Sequence, residues 1–119
     1  MLSPRDERHT EAVRFSRHKK RSVLTTEFIV VELANFFARI ADRTAFVEFV
    51  RYLRRHPNTT IIPANSHLVE RGFDLFARRP DKEWSLTDCI SFVVMEEHGV
   101  TEALTSDGDF EQAGFKKLL

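Results

Sequence analysis

The chain has 119 residues and carries 18 Lys or Arg against 18 Asp or Glu, a formal net charge of zero. That length fits one domain able to bury a modest core, and a composition 42% hydrophobic and 30% charged is that of a soluble globular protein. No run approaches the roughly 18 apolar residues of a membrane span, the N-terminal stretch has no apolar core of a signal peptide, and Cys89, the only cysteine, excludes an internal disulfide and suits a reducing cytoplasm.

Taken in order, residues 5–20 predict a helix with Ala12, Val13 and Phe15 on its apolar face. "SVLTT" (22–26) is short, β-branched and reads as a strand. "EFIVVELANFFARI" (27–40) has apolar residues at 28, 31, 33, 36, 37 and 40, a helical spacing with Thr25 or Thr26 as its cap. A further helix over about 43–56 carries Phe46, Val47, Phe49, Val50 and Leu53. "TTIIP" (59–63) reads as a buried strand closed by Pro63. Residues 65–78 predict a helix with Leu68, Val69, Phe73, Leu75 and Phe76, and "PDKEW" is a turn. "SLTDCISFVVMEEHG" (85–99) predicts a helix ended by Gly99 just past its C-terminus. "TEALT" (101–105) is a third strand, "DFEQAG" one helical turn, and "FKKLL" an extended terminal piece. Strands separated by helices predict an α/β fold, a parallel sheet with helices on both faces. The eleven phenylalanines sit mostly at helical spacing and are expected in the core.

The zero net charge hides an asymmetry. Residues 1–80 hold 15 Lys or Arg and 9 Asp or Glu, whereas residues 81–119 hold 3 and 9. Basic groups cluster at Arg17, Lys19, Lys20 and Arg21, and again at Arg51, Arg54 and Arg55. Such clusters are solvated helix faces or phosphate-holding surface, and beside an acidic site they suit a metal-dependent nuclease.

Three stretches place acids at or near the carboxyl ends of the expected strands, where open parallel sheets bind ligands. Asp107 and Asp109 follow "TEALTS", Asp88 lies in the first turn of "SLTDCISF", and Glu32 sits between Val31 and Leu33 in a strongly apolar helix. Carboxylates converging on one cleft would repel unless a cation neutralised them, and Mg²⁺ or Mn²⁺ suits an all-oxygen donor set. Each acid also has a purely structural reading. Ser85-x-x-Asp88 is a capping-box pattern, "TSDGDF" is a turn whose Asp side chains accept backbone N–H groups, and Glu32 can meet Arg39, Arg43 or solvent. No Cys/His pair has zinc spacing, no Ser, His and Asp set reads as a triad, and no glycine-rich phosphate loop is present.

"TTEFIVVELANFF", "SLTDCISFVVM" and "EALTSDGDFEQAGFKKLL", in this order and spacing, resemble a PIN domain of the VapC-type toxins of bacterial toxin–antitoxin pairs. The resemblance covers nearly the whole chain, and its C-terminal block is the specific part. It implies a three-layer α/β/α sandwich around a central parallel sheet and a Mg²⁺- or Mn²⁺-dependent endoribonuclease held inactive by a cognate antitoxin. It also implies a cytoplasmic homodimer. Of the family's four acidic positions, Glu32 matches the second, Asp88 the third and Asp107 the fourth. Asp109 matches a polar auxiliary neighbour, and Thr105 the Thr that precedes the fourth acid. The pattern departs at the start: only "MLSPR" precedes Asp6, so the family's first strand and its Asp have no counterpart, and Asp6 is not a match. The expectation is a single PIN-like domain over 1–119 that lacks this strand, with activity impaired by the absent acid. The alternative is a non-catalytic module that binds an antitoxin or a second copy.

Overall fold

The computed structural model describes residues 22–38, 43–103 and 108–117. The expected helix over 5–20, the end of "TEALT", Asp6, Thr105 and Asp107 lie outside the described residues.

Strand β1 (Val23–Thr26) runs directly into helix α1 (Glu27–Phe37). Of the two candidate caps it is Thr26 that acts: its backbone is extended and its Oγ1 accepts from the Ile29 N–H at 3.2 Å. Helix α2 (Arg43–Arg55) buries Phe46, Val50 and Leu53, one stripe at helical spacing, with charged groups elsewhere. It leads to strand β2 (Thr59–Ile62). Parallel pairing of β1 with β2 runs from Val23 opposite Thr59 to Thr26 opposite Ile62. The sequence reading made β2 a buried strand. It is only partly buried and Thr60 is exposed, because among the described residues β2 pairs on one side alone.

Helix α3 (Ser66–Arg78) is capped by Asn65, whose Oδ1 accepts from the Leu68 N–H at 2.9 Å. Helix α4 (Leu86–Glu97) is the spine of the molecule, with every residue from Asp88 to Met95 buried. A helix apolar all round has no solvent face, so it must be covered on several sides. One side of α4 gives Cys89, Phe92 and Met95 to a cluster with Ile29 and Leu33 of α1, Phe46 and Val50 of α2, Trp84, Ala103 and Phe110. The other side gives Ile90, Val93 and Val94 to a second cluster with Leu68, Leu24, Phe28 and Ile62. Helix α3 reaches α4 at Gly72, where even a Cβ would come within 2.5 Å of Ile90 Cγ1. The pair is also joined at the surface, where Glu97 accepts from Arg71 and lies 3.5 Å from His67 Nε2.

The α4 helix ends as expected, with Gly99 in left-handed conformation (φ +65) after the His98 cap. Strand β3 (Glu102–Ala103) pairs in parallel with β4 (Lys116–Lys117), and the one-turn helix α5 (Asp109–Gln112) connects them. The described strands thus form two parallel pairs, β1 with β2 and β3 with β4, in a mixed α/β arrangement. Not all the phenylalanines are core: Phe36, Phe73 and Phe76 are exposed at 48%, 52% and 47%.

Candidate active site

The acid-bearing elements meet through their neighbours. Leu33 follows Glu32, Cys89 follows Asp88, Phe110 follows Asp109, and Ala103 lies just before the segment that holds Asp107. All four of these apolar residues belong to the same buried cluster. The elements carrying the candidate ligands therefore pack on one core, although they are far apart in the chain.

Asp88 is the most constrained of the candidate acids among the described residues. It is 2% exposed and closes a reciprocal capping box: its N–H donates to Ser85 Oγ at 3.0 Å, and its Oδ2 accepts from the Ser85 N–H at 3.3 Å. The structural reading of "SLTD" is thus present, and it orients the carboxylate rather than excluding another role. Trp84 precedes the cap and wedges edge-on against Phe92, with ring centroids 5.0 Å apart. The Arg79 guanidinium lies 5.2 Å from the Trp84 ring centre and is forked by both Asp81 oxygens at 3.0 Å. That fork raises the Arg79 pKa and lowers that of Asp81. The Trp84 indole N–H is buried with no hydrogen-bond partner among the described residues.

Glu32 is half-buried, and its Oε2 lies beneath the surface. Of the two arginines that its structural reading offers, Arg43 donates to the Ala38 carbonyl at 3.3 Å, and Arg39 lies outside the described residues. Asp109 is half-buried and begins α5. Gly108 occupies the cap position of this helix. Among the described residues no three His, Cys, Asp or Glu side chains gather closely enough to hold a metal ion. The fourth acid, Asp107, and Thr105 fall in the segment 104–107 outside that description.

Cys89, beside Asp88, is fully buried, and burial pushes its thiol up to about 11, with the Asp88 charge adding to the effect. The donors on offer are therefore carboxylate oxygens, with the one thiol turned into the core. That set fits a hard divalent ion in kind.

Sequence reasoning did not find the tie between the carboxyl ends of β1 and β2. Glu27 Oε1 accepts from the Ala64 N–H at 2.6 Å across 37 residues of chain, and no local pattern announces such a pair. Ser85 was visible only as a cap, and the Arg79–Asp81–Trp84 group only as a turn. A short Arg-x-Asp spacing before a helix cap is the one local signal that could have suggested it.

The sequence profile described as "PIN domain" matches residues 1–116. A "23S rRNA-specific endonuclease VapC20" from two Mycobacterium tuberculosis strains, CDC 1551 / Oshkosh and H37Rv, is 29% identical over 113 residues. The match spans 95% of this chain and 86% of the relative. The crystal structure of Mycobacterium tuberculosis VapC20, described as a "Sarcin-Ricin loop cleaving toxin", superposes with a TM-score of 0.79 at 26% identity. It covers 96% of this chain and 94% of the other. With a family profile over nearly its whole length and a matching α/β fold, the chain belongs to the PIN-domain family.

Proposed function

We propose that the chain is the endoribonuclease toxin of a toxin–antitoxin pair, hydrolysing phosphodiester bonds in RNA. What supports this reading is the single buried cluster that takes in Leu33, Cys89 and Phe110, the chain neighbours of Glu32, Asp88 and Asp109, together with Ala103 at the end of β3. The likeness to VapC20 adds a first substrate to test, the sarcin–ricin loop of 23S rRNA.

In this reading Glu32, Asp88 and Asp107 hold Mg²⁺ or Mn²⁺, with Asp109 as a supporting acid. The bound ion would supply Lewis-acid stabilisation of phosphate charge and a more acidic water. The protein's own contribution is positional. The Ser85 cap fixes the Asp88 carboxylate, burial keeps it dry, and the Thr105 hydroxyl orients a water or a phosphate oxygen. Basic side chains hold the flanking RNA backbone, so affinity falls steeply with salt. A cognate antitoxin keeps the site inactive, and the chain works as a cytoplasmic homodimer. The exposed Phe73 and Phe76 on α3 are apolar surface of the kind that protein partners cover.

The test is cleavage of a sarcin–ricin loop hairpin with Mn²⁺, comparing the chain with Asp88→Asn and Glu32→Gln. Asn keeps an oxygen for the Ser85 N–H but lowers the charge, so the fold persists while cleavage falls at least about 100-fold. Cleavage that survives Asp88→Asn at full rate refutes the site. Retained antitoxin binding by a chain that cuts no RNA would favour the non-catalytic module.

A further inference from the structure

A cleft of about 360 Å³ opens beside the carboxyl ends of β1 and β2, lined by Glu27, Val30, Val31, Arg54, Ile61 and Pro63. Positions 27, 30 and 31 share one face of α1, because residues three and four apart on a helix are neighbours. The apolar wall is open to solvent, with Val31 exposed at 58%. Arg54 enters from α2. Its neighbour Arg51 is bonded to Glu48 at 3.1 Å, whereas Arg54 has no ion-pair or hydrogen-bond partner among the described residues.

We propose that this cleft is a subsite for one nucleotide of the RNA strand, next to the position where the strand is cut. The inference rests on the nuclease reading above and adds a residue and a place to it. An unpaired guanidinium offers a planar fork of donors that matches a phosphate. Val30, Val31, Ile61 and Pro63 give an apolar surface for a ribose or base. Glu27, anchored by the Ala64 N–H, is a fixed carboxylate in the same lining. It disfavours a bare anion and favours a ligand that carries hydroxyl or N–H donors beside its phosphate, as a ribonucleotide does. The cleft is also close to the proposed site. Val31 immediately precedes Glu32, which places their Cα atoms about 3.8 Å apart, and their side chains diverge by about 100° around the helix.

The experiment measures binding of a fluorescein-labelled sarcin–ricin loop hairpin, and of a mixed-sequence single-stranded RNA, between 50 and 200 mM KCl. All proteins carry Asp88→Asn so that the RNA stays intact. Arg54→Gln is expected to weaken binding about tenfold at the lowest salt. It should also lower the slope of log affinity against log salt by about 0.7, one phosphate contact on a single strand. Val31→Asp places a second carboxylate in the cleft and is expected to weaken binding as well. Arg54→Lys should keep most of the slope. Arg78→Gln removes the same charge from an arginine bonded to the Asp74 carbonyl, and should change binding less. Circular dichroism confirms that each variant is folded. If Arg54→Gln leaves the slope unmoved, or matches Arg78→Gln, the subsite is wrong while the nuclease reading stands. Loss of antitoxin binding with RNA binding unchanged makes the cleft a peptide site and overturns the proposal. A parent protein with no affinity for either RNA overturns both.

Discussion

Truncating Phe110 tests whether one aromatic side chain holds the acid-bearing elements together. The ring is fully buried and meets Phe92 edge-on, with centroids 4.9 Å apart. Phe92 in turn touches Trp84 at 5.0 Å and Phe115 at 5.7 Å. Removing a fully enclosed phenyl ring costs about 3–5 kcal/mol, the lost transfer energy plus the cavity that remains. The edge-to-face geometry accounts for about 1 kcal/mol of that. A chain of this size has roughly 6–18 kcal/mol of stability in all, so Phe110→Ala should fold but be fragile. At about 4 °C per kcal/mol, the melting temperature should fall by roughly 12–20 °C. Phe110→Leu keeps most of the volume and should lose about a third as much. The assay is thermal denaturation followed by circular dichroism, with RNA cleavage measured at 15 °C on the folded fraction. Cleavage should drop before the fold does, because Asp109 adjoins Phe110 and Ala103, in the same cluster, adjoins the segment that holds Asp107. A Phe110→Ala protein that melts within about 4 °C of the parent would refute the claim that this cluster organises the site.

Two further substitutions and one labelling experiment probe separate supports. Gly72→Ala gains about 1 kcal/mol of helix propensity but drives a methyl into the β-branched Ile90 at 2.5 Å. The clash costs about 1–3 kcal/mol, so the net effect is a lower melting temperature, and a higher one would disprove the close α3–α4 contact. Ser85→Ala removes the α4 cap and should cost about 0.5–2 kcal/mol. Hydrogen exchange at the Asp88 amide should speed up, with Ser85→Thr restoring protection, and unchanged exchange would argue against the capping box. Cys89 has no exposed surface, so it should resist iodoacetamide in the native protein at pH 8 and react with one equivalent in urea. Rapid native labelling would show that the α4 spine opens readily.

Much of the local structure was legible because local chemistry decides it. Thr26 before "EFIVVEL" and Ser85 with Asp88 are caps that act within three residues, and each sits where its pattern says. Gly99 after "MEEH" marks a helix end for the same reason. Phe73 and Phe76 were misjudged as core because their spacing is helical, and spacing identifies a face but not what covers it. The face of α3 that is buried carries Leu68 and Gly72, chosen by the close approach to Ile90. The apolar composition of β2 predicts a buried strand, yet burial depends on how many neighbours a strand has, which composition does not record.

The candidate site divides along the same line. The amino-acid sequence determined the identity of the acids, the caps that orient them and the likeness to the PIN family, all of which follow from residue type and short spacing. Tertiary structure decided which of the acid-bearing elements pack on a common core. Glu32, Asp88 and Asp109 are separated by 56 and 21 positions of chain, and only packing on the Phe92–Phe110 cluster brings their elements together. It also decided that Glu27 reaches Ala64 and that Arg54 lines the cleft beside β1 and β2. Such contacts come from long-range burial of apolar surface, which is non-directional and leaves no local mark on the residues it brings side by side.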